Sequence, residues 1–233
     1  WVIFSAFGLL PYYLSGQVPT FTDAWFESMS GFTTTGATII PDLNVITHGL
    51  LFWRSLTQWI GGMGIIVLSI AILPIFGLNG MQLYAAEVSG LTYEKLSPRI
   101  ADTAKMMWTT YVLLTAAEVL AMWLCGMNVF DAVCHSMATV STGGFSTKQA
   151  SIAAFASPLI EYVTVLFMFL GGVSLSLQYL LIFKGRPKEL FRDTEFRTYF
   201  SIVAVFTAAI AIGIYITSPL DAEASFRVSL FQV

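Results

Sequence analysis

The stretch that decides the fold is Asp23-Ala24-Trp25-Phe26-Glu27-Ser28-Met29-Ser30-Gly31-Phe32-Thr33-Thr34-Thr35-Gly36-Ala37-Thr38, because the chain contains it twice. The second copy reads Asp131-Ala132-Val133-Cys134-His135-Ser136-Met137-Ala138-Thr139-Val140-Ser141-Thr142-Gly143-Gly144-Phe145-Ser146. The copies align without a gap at a constant offset of 108 residues, and each lies between long apolar stretches. The repeated unit is therefore apolar helix, short helix, polar glycine loop and apolar helix, which is the layout of an ion-channel pore module.

The composition is that of a membrane protein. Hydrophobic residues make up 56% of the 233 residues and charged residues 11%, whereas a soluble domain carries roughly 25% charged residues. Five apolar segments stand out, and one span requires about 20 residues. They are residues 1–14, 50–76, 107–124, 159–183 and 199–216. The first is short and begins without a Met or a basic flank, so we expect a fragment that starts inside a helix and not a signal peptide.

The Lys and Arg residues indicate which loops face the cytoplasm. Eight of the eleven fall in residues 77–106 and 184–198, and cytoplasmic loops carry an excess of basic residues. One membrane crossing separates each of these connections from a Thr/Gly run. Both runs are therefore predicted to enter the membrane from the outside.

Residues 23–32 predict a short helix that enters the membrane and turns back. Ten helical residues rise about 15 Å, and the hydrocarbon core is about 30 Å thick. Thr22 or Asp23 can cap the start, and Asp23 and Glu27 place negative charge near the positive end of the helix dipole. The opposite end then favours a cation inside the membrane. The second copy predicts the equivalent helix at residues 131–140.

The non-helical residues that follow, 33–38 (the first loop) and 141–146 (the second loop), are predicted to bind the cation. Their backbone groups need partners, so such loops occur at membrane depth only where they are buried in protein or line a wet cavity. Gly36 and Gly144 permit backbone conformations that a Cβ disfavours, which lets successive carbonyls point one way. A row of inward carbonyls can replace the water around a monovalent cation.

These segments divide the chain into tandem units. The expected division is a first unit at residues 1–76 with inner helix 50–76, a second at 107–183 with inner helix 159–183, and the start of a third at 199–233. In the third, Leu230-Phe231-Gln232-Val233 resembles Trp25-Phe26-Glu27-Ser28 near the start of a short helix. Gly61-Gly62 and Gly171-Gly172 take similar places in the inner helices, where small residues favour close packing over a hinge. We expect a piece of a longer protein, since at least two more loops are needed to enclose a cation.

Several motifs together resemble one known family. They are Gly31-Phe32-Thr33-Thr34-Thr35-Gly36-Ala37-Thr38, Gln58-Trp59-Ile60-Gly61-Gly62-Met63-Gly64-Ile65-Ile66-Val67, Ala71-Ile72-Leu73-Pro74-Ile75, Gly80-Met81-Gln82-Leu83-Tyr84, Gly143-Gly144-Phe145-Ser146-Thr147 and Arg192-Asp193-x-Glu195-Phe196-Arg197. Over nearly the whole chain they resemble the Trk/Ktr/HKT superfamily of cation transporters, and within it the membrane subunit of the bacterial Trk potassium-uptake system.

The resemblance implies an all-α polytopic membrane protein with four helix–pore-helix–filter-loop–helix units around a pseudo-fourfold cation pore. It implies a homodimer in the bacterial plasma (inner) membrane that moves potassium into the cell, with a cytoplasmic nucleotide-binding regulatory subunit as partner. Membrane lipid is a further expected partner. No nucleic acid is expected to bind. Carried over by motif, the potassium ligands are Thr34, Thr35, Gly36, Thr142, Gly143 and Gly144, with Thr33, Ala37, Ser141 and Phe145 flanking them. The third and fourth loops and the interrupted gate helix of the family have no counterpart here, so gating is not inferred, and channel-like and ion-coupled transport both stay open.

The loop sequence also predicts the degree of selectivity. Each loop carries Thr-x-Gly instead of the longer Thr-Val-Gly-Tyr-Gly of potassium channels, so fewer carbonyl layers are rigidly specified. We expect potassium and rubidium to pass readily, with sodium disfavoured but not excluded.

Two other classes of protein compete with this interpretation. A secondary transporter of another small solute also places glycine-broken helices near the midplane, but such folds often use inverted repeats, whereas these units begin and end on the same side. A hydrolase is disfavoured because no G-x-S-x-G motif is present and nothing pairs His48 or His135 with a nucleophile and a carboxylate. We therefore predict no enzyme activity. Neither histidine has metal-ligand spacing, and Cys125 and Cys134 are interpreted as unpaired apolar residues.

Some polar residues in the apolar segments leave alternatives open. For Arg54 two interpretations stay open. Either it balances the charge of Glu27 or repels cations, or its side chain extends to the membrane surface. Glu118 is a functional candidate by default, although a structural hydrogen bond is favoured for it, as for Gln178 and Glu161. Acidic residues are common on the predicted outer side, where they either concentrate cations or are simply solvated. They are Asp23, Glu27, Asp42, Asp131, Asp221 and Glu223.

Overall fold

The computed structural model describes residues 1–72, 100–185 and 187–233, and this part of the chain is helical without β-strands. The α-helices are α1 (Val2–Gly8), α2 (Leu10–Leu14), α3 (Phe21–Phe32), α4 (His48–Ile72), α5 (Ile100–Leu124), α6 (Val129–Val140), α7 (Pro158–Gly171), α8 (Leu175–Lys184), α9 (Pro187–Arg192), α10 (Thr194–Thr217) and α11 (Ala222–Gln232). Two 3₁₀ turns lie at Leu43–Val45 and Ser151–Phe155.

The repeated segment forms the two short helices α3 and α6, of 12 residues each. Each begins two residues before its predicted start. In α3 the cap is Thr20, which has an extended backbone and whose hydroxyl accepts the Asp23 amide at 3.2 Å. The expected caps Thr22 and Asp23 are therefore wrong. In α6 the equivalent cap is Asn128, whose side-chain oxygen accepts the Asp131 amide at 2.8 Å.

Helix α11 corrects the expected register of the third unit. Asp221 caps it by accepting the amide of Ala224 at 2.8 Å, three residues on, as Thr20 and Asn128 do in their helices. Residues 230–233 therefore lie at the end of this short helix and not near its start. When the caps Asp221 and Thr20 are aligned, Val228 corresponds to Glu27. The likeness of residues 230–233 to residues 25–28 gives a different alignment.

The long helices also differ from the predicted segments at their ends. Helix α4 covers the described part of the first inner helix, and residues 73–76 of that prediction lie outside the described residues. Helix α5 begins at Ile100, so residues 100–106, expected in a connection, are helical, while residues 77–99 are outside the described residues. The expected loop 184–198 contains α9 and the first turn of α10. Charged residues mark a cytoplasmic connection but do not exclude helix.

The second inner helix was expected to be continuous over residues 159–183, and this is wrong. It breaks between Gly171 and Leu175 into α7 and α8. The side-chain amide of Gln178 donates to the carbonyls of Leu170 at 2.7 Å and Val173 at 2.8 Å. The Leu170 carbonyl also accepts the Val173 amide at 3.0 Å, so it is the Val173 carbonyl that the break would otherwise leave without a donor inside an apolar bundle. The structural hydrogen bond expected of Gln178 is confirmed.

Helix α4 lies at the centre of the described part of the chain and contacts α3, α5 and α6. Its N-terminal part packs in a core cluster with Tyr12 and Ala24, and Met63 packs in a second cluster with Tyr111 and Val140. Among the described residues, two stretches are long and apolar enough to cross a bilayer, Lys105–Leu124 of α5 and Thr194–Thr217. The two short helices point into this assembly from one side, which brings the loops after them next to α4.

Candidate functional site

The two loops have the same backbone conformation. Thr34 has φ 54° and Gly36 φ 74°, and at the equivalent positions Thr142 has φ 54° and Gly144 φ 84°. Residues other than glycine rarely adopt positive φ, and β-branched ones least of all. Its occurrence at both equivalent threonines shows that the sequence repeat is also a repeat of an unusual backbone path.

The backbone amides of both loops turn back onto their short helices in the same pattern. Amides of residues 33–35 donate to carbonyls of residues 29–31 at 2.9 to 3.0 Å. Amides of residues 141–143 donate to carbonyls of residues 137–139 at 2.8 to 3.4 Å. The donors of each loop are thus used by the helix end, as in a helix C-terminal cap.

The carbonyl oxygens in the middle of each loop are left free by this arrangement, whereas those of Ala37 and Ser146 accept the Ser30 hydroxyl and the Arg54 guanidinium. Within the part of the chain that the structure describes, no donor reaches the carbonyls of the six predicted ligands. These are Thr34, Thr35, Gly36, Thr142, Gly143 and Gly144. Thr35, Thr142 and Gly144 are exposed, Thr34 and Gly36 are half-buried, and Gly143 is buried. Free carbonyls with some access are what a dehydrated cation requires.

The structure brings the two loops into contact with each other. A Cβ built on Gly36 would overlap the carbonyl oxygen of Gly143. Around Gly144, in contrast, a Cβ would meet nothing within 4 Å. Gly36 is therefore required for close approach and for its positive φ, whereas Gly144 is required for its positive φ alone.

Arg54 of α4 joins the far ends of both loops through one buried guanidinium. Its Nε lies 2.7 Å from Oε1 of Glu27, and the same oxygen accepts the Thr38 hydroxyl at 2.9 Å. Its Nη1 donates to the Ser146 carbonyl at 3.1 Å, and its central carbon lies 4.1 Å from the ring centroid of Phe145. Arg54 is 1% exposed. The expectation that it balances Glu27 is confirmed, and the alternative that it extends to the membrane surface is wrong.

Gln58, one turn further along α4, lies between the two loops. Its Oε1 accepts the backbone amide of Phe145 at 2.9 Å. A Cβ on Gly143 would overlap the Gln58 amide, and one on Gly36 would lie 3.6 Å from its Nε2. The absence of a side chain at Gly143 therefore makes the space that Gln58 occupies, while Gly36 lies at ordinary contact distance from it.

Gly61 and Gly62, the next turn of the same helix face, contact the start of each loop. A Cβ on Gly61 would overlap the backbone of Phe32, and one on Gly62 would lie within 3 Å of Ser141 and of the Tyr111 hydroxyl. That hydroxyl donates to the carbonyl of Trp59 at 3.0 Å. The expectation that this glycine pair serves close packing is confirmed.

The second unit repeats this arrangement around its own glycine pair. A Cβ on Gly171 would lie 3.5 Å from the Val140 carbonyl, and one on Gly172 would overlap the hydroxyl of Tyr199. Tyr199 donates to the carbonyl of Phe169 at 3.3 Å, two residues before the pair, as Tyr111 does in the first unit. Each inner helix is thus tied to the first helix of the following unit by a tyrosine.

Two buried polar contacts behind the loops occupy equivalent positions. Glu27 accepts the hydroxyl of Thr38 in the first unit, and His135 lies 2.9 Å from the hydroxyl of Ser146 in the second. Asp131, at the start of α6, accepts the Thr147 hydroxyl at 2.5 Å and pairs with Lys148 at 3.4 Å. The second loop is therefore held from α6 and α4 together.

The remaining polar residues have structural surroundings. Glu161 pairs with Arg227 of α11, as expected of a structural contact. Glu118 is buried on α5 with its carboxyl next to Thr139 of α6, although no hydrogen bond of ordinary geometry joins it to the described residues. Cys125 and Cys134 are both free, as expected. Among residues 1–72, 100–185 and 187–233, no three His, Cys, Asp or Glu side chains are grouped to hold a metal ion.

The sequence interpretation did not identify Gln58, Phe145 and Ser146 as part of the support for the loops. One signal was available: Arg54 and Gln58 are polar residues four apart on one face of an apolar helix, and such residues in membrane segments mark functional contacts. The sequence does not show which residue that helix face contacts, since Ser146 lies 92 residues further along the chain.

Comparisons with known proteins identify the family. A family model described as "TrkH: Cation transport protein" matches residues 1–221. The Trk system potassium uptake protein TrkH of Escherichia coli (strain K12) is 48% identical over 213 residues, which are 89% of this chain and 44% of that protein. The Trk system potassium uptake protein TrkG of the same organism is 39% identical, over 99% of this chain and 48% of its own length.

A solved structure agrees with these relatives. The crystal structure of the potassium transporter TrkH from Vibrio parahaemolyticus superimposes with a TM-score of 0.83 at 37% identity, over 100% of this chain and 47% of that one. The chain thus spans about half the length of the proteins it matches. The matched family is a cation-transport family and not an enzyme family, and it implies location in a membrane. The chain belongs to the TrkH family of cation transport proteins.

Proposed function

We propose that this chain supplies two of the filter loops of a potassium-uptake pathway, and that the carbonyls of residues 34–36 and 142–144 bind the ion as it passes. The observation that carries the proposal is the contact between two loops that share positive φ angles at equivalent positions and whose carbonyls at residues 34–36 and 142–144 lack donors among the described residues. Carbonyl groups in this arrangement replace the hydration shell of a monovalent cation. Potassium is the substrate named for the relatives.

The wider assembly belongs to the same proposal. Two loops cannot enclose an ion, so two further loops of the full-length protein complete a pseudo-fourfold pore. We further propose a homodimer in the bacterial inner membrane, with both loops entering from outside and a cytoplasmic nucleotide-binding subunit regulating it. The two units begin and end on the same side, which favours a pore over the inverted repeats of many solute transporters.

The test is the replacement of Gly36 or Gly144 by Ser in the full-length protein, with rubidium and sodium uptake measured in cells that lack other potassium-uptake systems. Both variants are expected to lose preference for rubidium over sodium, because Ser at positive φ strains the carbonyl row. Gly36→Ser is expected to have the larger effect, since its Cβ also overlaps the Gly143 carbonyl.

Gly49→Ser is the matched control. Gly49 lies in the first turn of α4, has no positive φ, and would have no atom within 4 Å of an added Cβ. It is expected to keep the parent's ion preference. Unaltered preference in both Gly36→Ser and Gly144→Ser would contradict the assignment of the ligands.

A further inference from the structure

His135 occupies the position in α6 that Glu27 occupies in α3. Glu27 faces the hydroxyl of Thr38, two positions after Gly36. In the same way His135 faces the hydroxyl of Ser146, two positions after Gly144. His135 is 3% exposed. The repeat thus places a carboxylate behind one loop and a titratable imidazole behind the other.

The hydrogen bonds of His135 specify its uncharged form. Nδ1 lies 2.8 Å from the backbone carbonyl of Asp131, which can only accept, so Nδ1 carries a proton. Nε2 is then an acceptor in the neutral ring, and it lies 2.9 Å from the Ser146 hydroxyl, which donates to it. The same Ser146 oxygen accepts the backbone amide of Lys148 at 2.9 Å. Every polar atom of this chain of bonds is satisfied when His135 is neutral.

Protonation of His135 breaks this pattern. Nε2 then donates, so the two lone pairs of the Ser146 oxygen are used by His135 and by the Lys148 amide, and the hydroxyl hydrogen has lost its acceptor. A shift of Ser146 away from His135 would also disturb the bond between its carbonyl and Arg54 at 3.1 Å. A buried hydroxyl hydrogen without an acceptor destabilises the fold by more free energy than a typical hydrogen bond contributes to it.

The charges that face this site already balance one another. Asp131 on the same helix pairs with Lys148 of the loop, and Glu27 of α3 pairs with Arg54 of α4. From the turn Ser151–Phe155 the neighbour is the edge of the Phe155 ring, with centroids 5.3 Å apart. Other titratable groups on the packed helices point elsewhere: Glu118 of α5 faces Thr139, and Glu161 and Tyr162 of α7 engage α11. An imidazolium here would therefore add a positive charge without a free counter-ion beside a cation-binding loop.

We propose that His135 is a proton-operated positioning residue of the second loop, holding Ser146 in place when neutral and releasing it when the outer medium is acidified. The inference rests on the proposed cation pathway. In this account external acidification slows cation uptake through the second loop and relaxes its selectivity. Lys148, which pairs with Asp131 in the helix turn before His135, has a side chain that is 42% exposed, so solvent reaches close to this site.

The direction of the pH dependence follows from burial. Burial lowers the pKa of the His135 imidazole, which lies in a helix too short to span the membrane. The neutral form, and the loop geometry it supports, is therefore present above the ordinary histidine pKa of about 6.5 and is lost as the pH falls through the lower value in the fold.

The experiment measures rubidium uptake by the full-length protein in proteoliposomes while the external pH is lowered from about 7.5 to about 5, around the histidine range. The rubidium uptake rate of the parent is expected to fall about fivefold over this range, which is the factor that corresponds to the net free energy of one hydrogen bond. His135→Gln keeps an acceptor and a donor but does not titrate, so its profile should be flat. His48→Gln is the matched control: His48 is exposed and stacks on Phe130 with centroids 4.5 Å apart, and it should follow the parent.

Different results would identify different failures. A parent profile that is flat, or a His135→Gln profile that falls like the parent's, would overturn the switch while leaving the pathway intact. If His135→Gln does not fold, Ser146→Ala removes the same bond and should flatten the profile. A parent that carries no rubidium at any pH would contradict the proposed function instead. In that case the pH dependence of the unfolding temperature tests the switch, which requires acid to destabilise the parent more than His135→Gln.

Discussion

Arg54 is the residue through which α4 acts on both loops at once. It is buried, its charge is balanced by the equally buried Glu27, and its second hydrogen bond ends on the carbonyl of Ser146. Buried ion pairs contribute little net stability, but removal of one partner leaves an uncompensated charge. The pair therefore acts mainly as a geometric connection between the loops. The free energy of interaction between Arg54 and Glu27 can be measured with a double-mutant cycle.

We predict that Arg54→Gln and Glu27→Gln each destabilise the full-length protein by about 3–5 kcal/mol and lower its preference for rubidium over sodium. The double variant should lose clearly less than the sum, because neither charge is then left unpaired. Thermal unfolding in detergent and uptake ratios provide the two measurements. Arg197→Gln, the same substitution at an exposed residue of α10, is the control and should change neither. Strict additivity of the two single variants would refute the coupling.

At the scale of the element, the repeat made some parts of the site predictable. Its constant offset placed both short helices, both loops and the two glycines that have positive φ. It did not indicate that Thr34 and Thr142 also have positive φ, because threonine has no intrinsic preference for it and the conformation is imposed by the surrounding contacts. The break before α8 was hidden for a similar reason: hydropathy records apolar side chains, whereas the break depends on hydrogen bonds from Gln178.

The glycine face of α4 gives a prediction at this scale. Gly61→Ala should destabilise the protein by about 1–3 kcal/mol, since an added Cβ overlaps the backbone of Phe32, which cannot yield as a flexible side chain can. Gly213→Ala is the matched control in α10, where a Cβ would meet nothing within 4 Å. There the substitution should be neutral or stabilise by about 0.5–1 kcal/mol through helix propensity. Equal changes in unfolding temperature for both variants would show that α4 does not rely on this close approach.

At the scale of the whole molecule, the repeat explains how two units support one another. The inner helix of the first unit supplies Arg54, Gln58 and Gly62 to the loop of the second. The inner helix of the second unit instead contacts the third unit through Glu161 and the tyrosine Tyr199. The packing between units is therefore similar in its glycine and tyrosine contacts and different in its polar ones, so the units are only approximately equivalent.

The orientation of the whole molecule gives the last prediction. The turn that contains Asn44 packs with the starts of α3 and α6, where Leu43 shares a core cluster with Ala24 and Phe130, whereas α9, with Lys188, follows α7 and α8. Those two helices total 24 residues, about 36 Å of rise and enough for one crossing. In a full-length protein without its native cysteines, Asn44→Cys should react with a membrane-impermeant maleimide in intact cells. Lys188→Cys, an equally exposed position, should react only after permeabilisation, because we propose that the basic connection faces the cytoplasm. Labelling of both sites in intact cells, or of Lys188→Cys alone, would reverse the proposed direction in which the loops enter the membrane.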